Sequence, residues 1–192
     1  MKKIVSLVVT LLLVSTSLLH AASFDASQLP EKKRTISGKY LSAKGAYEMV
    51  TKAPAKVLFV DIRTPEENEY VGIADQVNLN IPYMLNDFST WDSKKNRYQM
   101  SPNSAFTMKI ADALAARGLK KTDPIILICR SGDRSAAAAD LLTKAGYTNV
   151  YSVYEGFEGD KSKEGFRTVN GWKNAGLPWG YKLDQARAYL VF

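Results

Sequence analysis

Residues 123–146 read DPIILICRSGDRSAAAADLLTKAG, and the order of events in this stretch decides the fold. The run from Asp123 to Cys129 is almost wholly apolar and too short for a typical helix, which suits a strand buried on both faces. A polar turn from Arg130 to Ser135 follows, and Ala136 to Ala145 then has the composition of a helix that Gly146 ends. NVYSVY, residues 149–154, is the next strand. A strand, turn, helix and strand in this order imply a crossover between parallel neighbours. The pattern repeats upstream. Tyr40-Leu41 reads as a short strand, and Ala43 to Lys52 as a helix with Ala46, Met49 and Val50 on one face. VLFV, residues 57–60, runs into Asp61 as a second doubly buried strand, and VNLNIP, residues 77–82, is a further candidate. Ser104 to Arg117 carries a helical stripe of Phe106, Ile110 and Leu114. The class that follows is α/β, with a central, mainly parallel sheet and helices on both faces.

Outside that pattern the sequence is less regular. Residues 84–103 are polar with interleaved aromatics and read as a long surface excursion. Residues 155–192 are rich in Gly and aromatics and read as a wrapping segment with a short helix over 169–174. Trp91, Tyr98 and Trp172 are read as core or loop anchors in preference to a docking surface. The N-terminus divides in two. Lys2 and Lys3 precede the uncharged run IVSLVVTLLLVSTSLL and the small pair Ala21-Ala22, the pattern of a cleaved bacterial export signal over residues 1–22. Sixteen residues broken by Ser and Thr are marginal for a retained span, so a periplasmic or secreted protein without a stable membrane anchor is expected. Residues 23–38 read as a linker, 39–180 as the domain, and 181–192 as a C-terminal tail.

The chain has 192 residues, of which 46% are hydrophobic and 23% charged, enough for one sizeable core. Its net charge of +7 is scattered among acids, with no basic block of the kind that marks a nucleic-acid surface. Two counts restrict the chemistry. Cys129 is the one cysteine, so the chain can form no internal disulfide. His20, the one histidine, lies inside the expected export signal. Catalysis by Cys-His or Ser-His-Asp is thereby excluded, as are zinc sites of His and Cys. No metal and no cofactor are implied.

Cys129 stands at the carboxyl end of a buried strand, where ligand sites collect in parallel sheets. Gly132 allows the following turn to aim its amides inward, and the helix behind it presents free N–H groups to the same point. Loop amides, the helix N-terminus, Arg130 and Arg134 would together stabilise a thiolate without a histidine. The plainer alternative, a small buried core cysteine, does not account for the Arg-Ser-Gly-Asp-Arg-Ser that follows.

Here the chain resembles a known family. A strand, Cys-Arg-x-Gly-x-Arg-Ser and a helix resemble the active-site loop of single-domain rhodaneses. VLFVDIRTPEENEY is similar to that family's early strand ending in Asp-x-Arg, AADLLTKAGYTNVYSVYEGF to its helix–strand unit, and GWKNAGLPW to its closing signature. The likeness extends from Gly38 to Trp179. It implies a rhodanese-like fold and a sulfurtransferase in which Cys129 carries sulfur as a persulfide. A small anionic donor such as thiosulfate would load it, and a thiol, a cyanide-like nucleophile or a protein thiol would unload it. Arg130, Ser131, Gly132, Asp133, Arg134 and Ser135 would hold the substrate, while Asp61 and Arg63 would support the architecture. There are departures. VGIADQVNLNIP replaces the family's His-Ile-x-Gly-Ala run, Asp133 puts a negative charge in the loop, and the stretches 83–103 and 156–172 are long.

Two rival readings remain at this level. Phosphatases of related fold need five residues between cysteine and a clamping arginine, whereas four separate Cys129 from Arg134. A carrier or binding module with little small-molecule turnover, acting with a protein partner, is the other alternative.

Overall fold

The two runs with no polar face occupy the centre of the sheet, because only a strand covered on both sides can bury every side chain. The computed structural model describes residues 25–190, so the export signal expected over 1–22 lies outside the described residues. In chain order the elements are β1 (Tyr40–Leu41), α1 (Ala43–Lys52), β2 (Leu58–Asp61), α2 (Pro65–Val71), β3 (Ile73–Ala74), β4 (Leu79–Asn80), β5 (Met84–Asp92), β6 (Arg97–Pro102), α3 (Phe106–Ala116), β7 (Ile125–Ile128), α4 (Asp133–Lys144), β8 (Val150–Val153) and β9 (Trp179–Gly180). The main sheet has the order β1-β8-β7-β2-β4, with every neighbouring pair parallel. β7 is its middle strand, and Ile125 lies opposite Leu58 on one side and Val150 on the other.

Side chains alternate across the sheet and so build two cores. Leu58, Val60, Ile125, Leu127 and Cys129 share one with Phe106, Ile110 and Leu114 of α3 and Ala138 and Leu142 of α4. Phe59, Ile126, Ile128 and Val153 share the other with Ala43, Ala46 and Val50 of α1 and with Trp172. Trp172 is wholly buried, packs 5.5 Å from Phe59 between ring centroids, and donates its indole N–H to the Pro178 carbonyl at 2.9 Å. Removing a buried aromatic of this size typically costs about 3–5 kcal/mol. Trp172 is therefore core, whereas Trp91 and Tyr98 are exposed and pack edge to face on each other.

The structure corrects several sequence expectations. α4 begins at Asp133, not Ala136, because Gly132 takes a left-handed φ of 98° and places Asp133 in the first turn, where a negative charge suits the helix dipole. In VNLNIP only Leu79–Asn80 is strand; the Asn80 amide turns outward to the Arg187 carbonyl at 2.7 Å, and Pro82 has no N–H to give. The stretch 169–174 is not a helix. Its amides reach sideways, Trp172 to the Gly156 carbonyl and Lys173 to the Phe157 carbonyl, and the Asn174 side chain donates to three other carbonyls. Residues 25–38 are no free linker. Lys33 is buried in an ion pair with Asp160 at 2.7 Å, and the Ile36 amide donates to Asp140 of α4. The excursion over 84–103 is an ordered antiparallel hairpin, β5 on β6, pairing from Met84 with Pro102 to Asp92 with Arg97.

Candidate active site

β7 delivers Cys129 to the sheet's carboxyl edge, and the chain must reverse at once to start α4. Gly132 makes that reversal. Its φ of 98° disfavours any L side chain, and a Cβ there would lie 2.2 Å from the Tyr154 carbonyl oxygen. Gly156 meets the loop from behind: a Cβ at that position would fall 2.5 Å from the Ser131 amide nitrogen. The amides of Phe157 and Glu158 donate to the carbonyls of Cys129 and Arg130 at 2.8 and 3.0 Å. Residues 154–159 thus hold the loop in one shape.

That shape aims two amides at one sulfur. Gly132 N–H donates to Cys129 Sγ at 3.1 Å and Ser135 N–H at 3.4 Å, while the thiol lies 3.6 Å from Ser135 Oγ. Ser135 is buried, and its hydroxyl donates to the Gly132 carbonyl at 3.0 Å and lies 2.9 Å from Ser152 Oγ. N–H groups aimed at a sulfur solvate negative charge on it, and the N-terminus of α4 adds the positive end of its dipole. Cys129 is 1% exposed and forms the floor of a cleft.

The two loop arginines do different work. Arg134 makes a bidentate pair with Glu67 of α2, at 2.7 and 2.6 Å. Burial would raise the Glu67 carboxyl, but the bonds and charge of Arg134, with the Thr64 amide, outweigh it and hold Glu67 at about 2. Burial likewise opposes the Arg134 charge, and the Glu67 bonds and charge more than restore it. Its charge is largely spent on Glu67. Arg130 has no ion-pair or hydrogen-bond partner for its side chain among the described residues, and its Nε is shut off from water. Ser131 and Asp133 line the cleft beside it; Asp133 holds Lys32 at 2.9 Å through Oδ2, and its Oδ1 is buried without a hydrogen-bond partner among the described residues.

Asp61 and Arg63 lie at the end of β2, fully buried, and do not line the cleft. The Arg63 guanidinium donates to Asp61 at 2.6 Å and to the Gly72 carbonyl at 2.7 Å, and stacks 4.0 Å from the Phe157 ring centroid. Through Phe157 this pair backs the segment that holds the loop.

Three contributors escaped the sequence reading. Glu67 was visible as part of Thr64-x-x-Glu67, a capping box at the start of α2, but its reach to Arg134 is tertiary. Ser152 carried no signal. The hairpin β5–β6 also enters the site, since Met84, Trp91, Lys94, Lys95, Arg97 and Met100 line the cleft with Cys129 and its loop.

A family model described as the rhodanese-like domain matches residues 42–163, more than half of the chain. The chain belongs to the rhodanese-like family. Within the reach of that similarity, an uncharacterized protein of Rickettsia rickettsii is 35% identical over 71% of this chain and 92% of its own. Thiosulfate sulfurtransferase 16, chloroplastic, of Arabidopsis thaliana is 28% identical over 62% of this chain and 77% of its own. Among solved structures, that of Rv0390 from M. tuberculosis superposes with a TM-score of 0.58 at 29% identity, covering 75% of this chain and 98% of that one. The rhodanese-like fold is therefore established for the chain, and its parallel sheet agrees with it.

The Glu67–Arg134 pair makes a pH prediction for this rhodanese-like domain. A carboxyl held at about 2 against an ordinary 4.5 keeps the folded state less protonated than the unfolded one between those values. Its stabilisation, roughly 3 kcal/mol, is complete above pH 4.5 and lost as pH falls towards 2. In urea unfolding, Glu67→Gln should be less stable than wild type by roughly 2–3 kcal/mol at pH 7. The gap should close as pH drops through that window, and a gap that stays constant would contradict the pairing.

Proposed function

We propose that this protein is a sulfurtransferase that moves a sulfane sulfur from a small anionic donor such as thiosulfate to a thiophilic acceptor through a persulfide on Cys129. The observation that carries the reading is the pair of amides, Gly132 and Ser135, converging on Cys129 Sγ at the start of α4. The name of the Arabidopsis relative supports it at the level of the family.

In the first step the Cys129 thiolate attacks the outer sulfur of thiosulfate. The donor's S–S bond breaks, sulfite leaves with the electron pair, and a new S–S bond forms on Cys129. In the second step cyanide or a thiolate attacks that outer sulfur and the Cys129 thiolate leaves. No general base is needed, because the thiolate is both nucleophile and leaving group. The amides stabilise charge on sulfur in both steps, and Arg130, the unpaired loop cation, draws the anion in. The short loop argues against phosphate: Ser135 occupies the place a clamping arginine would need, and its side chain is turned into the protein towards Ser152.

The same proposal includes export. The basic Lys2-Lys3 start and the apolar run behind it support removal of residues 1–22 and a periplasmic setting. Among the described residues no helix is long and apolar enough to cross a membrane. Sequencing the N-terminus of protein recovered from a periplasmic extract should find a start close to Ser23, and an intact Met1 start there would contradict cleavage.

Thiocyanate release from thiosulfate and cyanide tests the chemistry. Cys129→Ser should abolish it. Gly132→Ala should lower it at least tenfold, because the loop cannot keep its shape around a Cβ that meets the Tyr154 carbonyl. Undiminished release by Cys129→Ser would overturn the mechanism.

A further inference from the structure

Transfer of one sulfur needs the Cys129 loop but does not need the hairpin β5–β6 that walls the cleft. The cleft measures about 730 Å³, in the range of roughly 300–1,000 Å³ typical of sites for drug-sized organic ligands. An ion as small as thiosulfate leaves most of it empty. Its charges are also sorted. Of the carboxylates that line it, Asp92 is paired with Lys95 at 3.3 Å and Asp133 with Lys32 at 2.9 Å. Arg134 is taken by Glu67. Lys94, Arg97 and Arg130 remain, with no carboxylate partner among the described residues. Neither Arg97 nor Arg130 makes a side-chain hydrogen bond among the described residues, so both guanidinium groups are uncommitted where they line the cleft. Trp91, Met84 and Met100 give the same cleft apolar wall for an aliphatic body.

We infer that the hairpin tip, through Lys94 and Arg97, is a recognition site for the carboxylates of a small peptidic thiol or its persulfide, whose sulfur end is presented to Cys129. The inference rests on Cys129 being the sulfur carrier. The persulfide R–S–SH is the donor. The Cys129 thiolate attacks its terminal sulfur, the R–S bond to that sulfur breaks, and R–S⁻ leaves with the electron pair. The products are Cys129–S–SH and the free thiolate, with no net oxidation. The reverse reaction makes the same thiol an acceptor.

The test compares loading rates of Cys129, followed by intact mass, from glutathione persulfide, which bears two carboxylates, and cysteamine persulfide, which bears none. Thiosulfate serves as the third donor. Wild type should load from glutathione persulfide at least about tenfold faster than from cysteamine persulfide. Arg97→Gln and Lys94→Ala should each erase most of that preference; Lys94 is exposed, so its truncation does not threaten folding. Equal rates from the two persulfides in wild type, or a preference that both variants keep, would overturn the hairpin site even while thiosulfate loads normally. Failure to load from all three donors would instead remove Cys129 as carrier.

Discussion

The proposed chemistry depends on the hydrogen bond from the Gly132 amide to Cys129 Sγ. For that N–H to face the sulfur, residue 132 must sit at a φ of 98° with its α-carbon against the Tyr154 carbonyl, which only glycine does without strain. The rest of the domain secures this geometry. β7 fixes Cys129 from the centre of the sheet, α4 starts at the next residue after Gly132, and the segment 154–159 closes on the loop from behind with Gly156 at the point of closest approach. The buried Asp61–Arg63 pair and Trp172 stand behind that segment. An anion-solvating loop is thus built from backbone, and the absence of histidine from the domain costs the proposed chemistry nothing.

Electrostatic compensation explains why the loop's charges are not interchangeable. A cluster of Arg130 and Arg134 beside Cys129 would be expected to act together on an incoming anion. Instead Glu67 engages Arg134 with both carboxylate oxygens, which ties α2 to α4 across the mouth of the sheet. Arg130 keeps its charge for the cleft. The division lets one arginine stabilise the scaffold and the other face the cleft, as a single bidentate pair in a partly buried setting permits.

Much of the scaffold was legible in the sequence because its physical causes are local. The apolar runs at 57–60 and 125–128 can only be central strands, and Ala46 and Val50, like Phe106, Ile110 and Leu114, keep helical spacing. The position of Cys129 between strand and helix located the loop. What stayed hidden is tertiary or lacks a periodic signal. Both hairpin strands stand away from the two cores, so no face of residues 84–103 is consistently apolar and no alternation announces them. The start of α4 was placed late because the decisive factor is the left-handed turn at Gly132, not the composition of Asp133 to Ser135. Nothing near residue 67 points to residue 134, and the segment 169–174, whose Gly171 and two Asn are poor helix formers, spends its hydrogen bonds on residues 156–160.

Whether Cys129 holds sulfur decides the proposed chemistry. The most direct measurement is the intact mass of the protein before and after incubation with thiosulfate, beside Cys129→Ala. A gain of one sulfur atom on the wild type alone, reversed by cyanide, is the predicted result. A reduced, thiosulfate-treated wild type whose mass does not change, or an equal gain on Cys129→Ala, would contradict it.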